Sequence, residues 1–179
     1  MFAPPLENFA HQKSPIVNRY SSFAVGGQAP LSLYLETKMP AIYHHQHTVG
    51  QEEIDNQGHV NNLRYLQWMQ DAAVAHSAAQ GWPADRYRES GAAWVVRSHK
   101  IEYLQPAFAE NSIVVKTWVS NFRKIQSLRK YKIVRTSDET LLAIAETNWA
   151  YIGMEHRTPR RVPPELAEAF EIVAEENEP

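Results

Sequence analysis

The sequence predicts an α+β domain in which an antiparallel sheet curls around one long central helix. Three observations carry that prediction. One helical pattern, rich in alanine, runs from about Asn61 to Gln80. Stretches rich in β-branched and aromatic residues follow it, one after another. The joins between them are too short for crossover helices, so the strands must run antiparallel. At 179 residues the chain is long enough for one domain with a real core. Hydrophobic residues make up 44% and charged residues 21%, as in a soluble globular protein.

Residues 1–40 differ in texture from the rest. Pro4, Pro5, Pro15, Pro30 and Pro40 punctuate them, and only LSLYLET, Leu31 to Thr37, alternates well enough for a short strand. They read as an N-terminal extension without an assigned role, ahead of a domain over 41–170. AIYHHQHTV, Ala41 to Val49, predicts a strand ended by Gly50. On it His45 and His47 share one face and His44 points away, with no acid at ligand spacing, so no metal site is expected.

The helix follows, with Gly81 as its stop and Pro83 just beyond. At about 100° per residue, Tyr65, Met69, Ala72, Ala73 and His76 fall on one face, and Arg64, Gln67 and Asp71 on the other. His76 then reads as a satisfied core histidine and Asp71 as a surface acid. Four strands are predicted next: Ala92 to Leu104, Ser112 to Phe122, Ile125 to Thr136 and Leu141 to Gly153. Turn residues close them, such as Gln105-Pro106 and Ser137-Asp138-Glu139. Pro163 to Phe170 starts a short helix with its prolines first. Residues 171–179 read as an acidic, solvated tail.

Composition narrows the function classes. A formal net charge of −2 argues against a general nucleic-acid binder. With no cysteine, disulfides, thiolate catalysis and Cys-ligated zinc are out. No apolar run approaches the roughly 20 residues of a membrane span. Glu7, Asn8, His11, Gln12 and Lys13 interrupt any secretory apolar region near the start, so a cytoplasmic protein is expected.

DNQGHVNNLRY, Asp55 to Tyr65, crowds polar chemistry into the mouth of the helix. Part of it is ordinary turn material: Asp55 can close an Asx turn, Gly58 can take a positive φ, and Asn61 or Asn62 can cap. The arrangement as a whole, strand then Asp-x-x-Gly-His-Val-Asn-Asn-x-x-Tyr then Ala-rich helix, resembles the hotdog-fold thioesterases. The branch is that of the 4-hydroxybenzoyl-CoA thioesterases and related acyl-CoA hydrolases. The segment is also similar to one in acyl-carrier-protein thioesterases, matched by His59, Val60, Asn61, Asn62, Tyr65 and Trp68. Ile101 to Val115 and Arg157 to Leu166 agree more weakly, so the resemblance spans roughly 41–170.

The resemblance implies a hotdog fold, an acyl-CoA substrate and no cofactor. It also implies a homodimer, or a homotetramer of dimers, with the acyl groove along the two-fold interface. Asp55 would be the catalytic carboxylate, as nucleophile or as general base on water, with both roles open. His59 would bond Asp55, the thioester oxygen or the catalytic water. First-turn amides around Val60, Asn61 and Asn62 would polarise the thioester carbonyl. Gly58 would let backbone approach the substrate. For the nucleotide phosphates, Arg123 and Lys124 in a turn, with Arg129 after them, are the expected cations, and Arg160 and Arg161 a weaker pair.

Three other functions stay open. An acyl-carrier-protein thioesterase would carry an asparagine two residues after the aspartate, where this chain has Gln57. A hotdog dehydratase would need a His–acid pairing that is not clearly reproduced. A non-enzymatic acyl-binding module would use Asp55 only to close a turn. Some hotdog branches take their carboxylate from the helix, which keeps Asp71 in reserve.

Overall fold

A computed structural model describes residues 40–179 of the chain, which divides between Glu36 and Thr37. The strand expected over Leu31–Thr37 lies outside the described residues. Strand β1 is Tyr43–Thr48, followed by a 3₁₀ turn at Gln51–Glu53 and helix α1 at Asn62–Ala79. Next come α2 (Ala84–Glu89), β2 (Ala92–Tyr103), β3 (Ser112–Arg123), β4 (Gln126–Arg135), β5 (Thr140–Gly153) and α3 (Pro164–Glu168). The strands form a five-stranded sheet in the order β1-β3-β4-β5-β2, with every neighbouring pair antiparallel.

Pattern explains each element. Along β4, Ser127, Arg129, Tyr131 and Ile133 are buried while Leu128, Lys130 and Lys132 between them are not, the period of two of a strand with one covered face. Along α1 the buried residues are Tyr65, Trp68, Met69, Ala72, Ala73 and His76, one stripe at helical spacing. Ala72 is fully buried and Ala73 nearly so, and these small side chains let the helix lie close to the sheet.

Asn61 caps α1 by accepting from the Leu63 N–H at 2.9 Å, worth about 1 kcal/mol. At the other end Gly81 takes φ +80°, the Gly81 N–H bonds the Ala78 carbonyl, and the Trp82 N–H bonds that of Ser77. That is a Schellman stop, and it needs a residue that tolerates the left-handed region.

The core has two parts. Val49, Val60, Tyr65, Trp68, Met69 and Ala72 meet Ile113, Val115, Ile133 and Leu142 under the first half of the helix. Trp82, Ala92, Val119, Tyr151, Leu166 and Phe170 pack under its far end.

Two expectations change. Helix α2 was not foreseen: six residues carry no readable period, and it is held from outside the pattern. Arg86 stacks on Trp82 at 3.9 Å and donates to the Gly81 carbonyl. The acidic tail is not simply solvated. β1 pairs with β3 only from Ser112 to Thr117, and beyond it the chain's end takes over that edge. Ile172 bridges Val119 in parallel, and the Val173 N–H bonds the Val119 carbonyl. Glu178 then meets Lys130 at 2.6 Å. Backbone groups left open at a sheet edge and lysines on its outer face give the segment partners that its composition does not reveal.

Candidate active site

The stretch from Ile54 to Val60 is a tight hairpin set against the helix entrance. Ile54 bridges Val60, the Asp55 N–H bonds the His59 carbonyl at 2.9 Å, and the Gly58 N–H bonds the Asp55 carbonyl at 3.0 Å. Gly58 sits at φ +82° with nothing near a would-be Cβ, so the backbone turn, not crowding, demands glycine there. Asp55 Oδ1 accepts from the Gln57 N–H at 2.8 Å, the Asx turn in full. Its Oδ2 faces the ring of His59, with Nδ1 3.9 Å away. That nitrogen is 3.2 Å from the Val60 carbonyl; a carbonyl only accepts, so Nδ1 carries the hydrogen and Nε2 is the acceptor.

Asp55, His59, Val60, Asn61, Asn62 and Tyr65 line one open pocket of about 470 Å³, together with Tyr103, Leu104 and Pro106. Tyr103 packs edge-on to Tyr65 at 5.2 Å and donates to the Asn62 carbonyl at 3.3 Å. Burial pushes the Tyr65 phenol up from its ordinary pKa, so it stays neutral.

The expected amide donors divide. The Val60 N–H is spent on the Ala107 carbonyl and the Asn61 N–H on the Glu53 carbonyl, both at 2.9 Å. Those bonds hold the loop against the sheet end, which takes the Val60 and Asn61 amides out of the set of free donors. Among the described residues, the Asn62 N–H alone of the three has no acceptor.

What fixes this loop is Glu53, which the sequence did not single out. Its carboxylate is buried and takes the Trp68 indole N–H at 2.7 Å, His47 Nε2 at 2.7 Å and the Gly50 N–H at 2.9 Å. Burial alone would raise its pKa, but the bonds from His47, Gly50 and Trp68 outweigh that and hold it below the ordinary value. One carboxylate thereby ties together β1, the 3₁₀ turn and α1. The available signal was an indole N–H on the buried face of the helix, which needs an acceptor, with an acid two residues before Asp55.

The cations are not together. Arg123 and Lys124 are exposed in the β3–β4 hairpin. The Asp55 loop is tied to the opposite end of β3, where the Val49 N–H bonds the Asn111 carbonyl. Twelve residues of β3 separate the two, roughly 35–40 Å at about 3.3 Å per residue. Arg129, expected beside them at the surface, is instead buried on the inner face, bonded to His76 and Thr117. It shares the inward register of Tyr131 and Ile133, which alternation along the strand had been able to say. Asp71 lies on the exposed face of α1, accepting from Gln67 at 2.9 Å. No helix among the described residues is long and apolar enough to cross a membrane.

The model of one family, described as the thioesterase-like superfamily, matches residues 49–170. Among solved structures, a 1,4-dihydroxy-2-naphthoyl-CoA thioesterase from Synechocystis is 19% identical with a TM-score of 0.67, covering 72% of this chain and 94% of its own. A probable thioesterase from Bartonella henselae is 26% identical with a TM-score of 0.64, covering 69% of this chain and 100% of its own. A hypothetical protein from Staphylococcus aureus, solved in complex with CoA, is 16% identical with a TM-score of 0.67, covering 72% of this chain and 80% of its own. No curated protein gives a significant match.

Proposed function

Because the chain belongs to the thioesterase-like superfamily and has the hotdog fold, we propose that it hydrolyses acyl-CoA thioesters in the chamber at the entrance of α1. One observation carries this reading: Asp55 and Asn62 line the same pocket at the positive end of an 18-residue helix. The helix terminus favours negative charge on a carbonyl oxygen as its carbon turns tetrahedral. Asp55 then acts from the other side, attacking the carbon itself or taking a proton from the attacking water. The C–S bond breaks and the thiolate leaves and takes up a proton. If Asp55 attacks, water then cleaves the acyl–Asp55 anhydride to free the acid and restore the carboxylate. If Asp55 is the base, the attacking water becomes the hydroxyl of the freed acid. His59, with its Nε2 free to accept, orients that water or the carboxylate.

The nucleotide is to be held by Arg123 and Lys124, and the span of β3 excludes contributions from one copy to both ends of one substrate. A second copy resolves this. Among the described residues β2 is an edge strand of the sheet, as β1 is at the other side. Pairing two β2 edges antiparallel sets the hairpin end of one copy beside the Tyr103 end of the other. A homodimer with two shared sites follows, itself able to pair into a homotetramer.

Thiol release from a panel of acyl-CoAs, each matched by the acyl-pantetheine thioester without the nucleotide, tests the reading. Hydrolysis of acyl-CoA with a lower KM than its pantetheine partner is expected. No thiol release from any member would overturn it.

A further inference from the structure

The described residues hold a second cavity, of about 390 Å³, between the far half of α1, α2 and the sheet. Trp82, Tyr87, Trp94, Phe122 and Phe170 line it, and Arg129 belongs to the same wall. Arg129 is only 6% exposed. Its Nη1 donates to His76 Nδ1 at 2.8 Å and to Thr117 Oγ1 at 3.2 Å. Among the described residues no bond reaches Nε or Nη2, and neither is a buried atom without a partner, so both are open to the cavity. Neither bonded group is an anion. His76 accepts, so it is neutral, and burial together with the guanidinium charge holds its pKa down to about 3. The ionisable groups nearest in effect are the Tyr131 and Tyr87 phenols, both pushed up by burial and so uncharged at neutral pH.

A buried cation without a counter-charge is costly, because desolvation is uncompensated and a guanidinium does not shed its proton. Phe170, its ring 5.9 Å from the guanidinium carbon, offsets only part of that. An anion would complete the set of partners that the described residues give Arg129, and a planar fork beside an apolar cavity suits a carboxylate carried on an apolar body. The volume is in the range of small-molecule sites.

We propose that this cavity takes the acyl group of the substrate and that Arg129 binds a carboxylate at its far end, making the substrate the half-thioester of a dicarboxylic acid. The assignment rests on the thioester-hydrolase reading above. Ala92, Ala93 and Trp94, at the start of β2, line the cavity. The antiparallel β2 pairing brings that end of one copy beside the Asp55 chamber of the other.

Two experiments test it. The first needs no turnover: indole fluorescence is titrated with 4-phenylbutanoate and with 4-phenylbutanol, identical but for the carboxylate. The acid is expected to bind about tenfold tighter or more, as a charge-assisted bond in a dry site allows. The difference should shrink to about threefold or less in Arg129→Met. This variant leaves the buried His76 Nδ1 without its donor, so a melting curve accompanies the titration. The second compares kcat/KM for octanedioyl-CoA and octanoyl-CoA, where the parent should favour the diacid about tenfold and Arg129→Met should lose that ratio. Arg129→Lys, which keeps the charge without the fork, should give an intermediate ratio and serves if the methionine variant fails to fold. Equal binding of the two probes by the parent overturns the proposal. Hydrolysis of both thioesters without preference overturns the placing of the acyl end. Selective binding of the acid with no hydrolysis of either thioester overturns the hydrolase reading and leaves the carboxylate site standing.

Discussion

Asp55 has two roles in the proposed reaction: Oδ1 closes the turn, and Oδ2, 3.9 Å from His59 Nδ1, is the proposed catalyst. Removing it separates them. Asp55→Ala is expected to cost about 0.5–1.5 kcal/mol of stability through the lost turn bond and about 10²–10⁴ in rate. Asp71→Ala, exposed on the helix, should change stability by about 0.5 kcal/mol or less and leave the rate near that of the parent. Thiol release and urea unfolding of both variants check this, and a reversed pattern would move the catalyst to the helix. His76 sets a pH dependence of a different kind. It stacks on Tyr43 at 5.4 Å, meets Phe170 edge-on, and accepts from Arg129 at Nδ1. Its folded pKa of about 3 lies below the unfolded 6.5. Between these values the unfolded chain binds a proton here and the folded chain does not, so stability falls as pH falls. The slope is about 1.4 kcal/mol per pH unit from this site. Urea midpoints taken from pH 7 down to pH 5 should drop less in His76→Gln, which keeps an acceptor but cannot titrate. The sequence made His76 legible as a core histidine because its helical face is otherwise apolar. It did not disclose the guanidinium that His76 accepts from, since Arg129 lies 53 positions away and a local basic run drew it to the surface.

At the scale of elements, long periodic segments were readable and short ones were not. Helix α1 and the four later strands stand within a residue or two of their predicted ends, because amphipathic period and turn residues agree there. Helix α2, six residues long, has no room for a period. The candidate site shows the same division. Asp55, His59 and Asn62 stand out as chemistry in a short motif, and the structure lines them along one chamber. Which amides remain free depends on Ala107 and Glu53, set by the way the loop meets the sheet, and no local pattern carries that. Glu53 is where three elements join. Glu53→Ala strands the Trp68 indole N–H and the Gly50 N–H and leaves His47 without its acid, and it should cost about 2–4 kcal/mol. Near-ultraviolet circular dichroism with a melting curve measures this. A variant as stable as the parent would show that the loop is held by its backbone bonds alone.

Over the whole molecule, the proposed dimer joins the Asp55 loop of one copy to the basic hairpin of another. The test is complementation. Asp55→Ala and the Arg123→Ala/Lys124→Ala double variant, unfolded together and refolded, should regain about a quarter of parent activity. Random pairing makes roughly half of the dimers mixed, and each mixed dimer rebuilds one site of two. Sedimentation confirms the mixing, and no recovery from mixed dimers would return both elements to one chain. The strand order has one more consequence, and it concerns synthesis. Among the described residues β2 pairs with β5 alone, and β1 pairs with β3 alone among the strands. A ribosome delivering the chain in order releases β2 long before β5, with β3 and β4 made between them. The growing sheet therefore assembles from its middle outward, and β2 waits unpaired on both sides. Such non-local pairing belongs with folding in milliseconds to seconds and not microseconds. During that interval a twelve-residue strand with two free edges is the part of the nascent chain most in need of a chaperone.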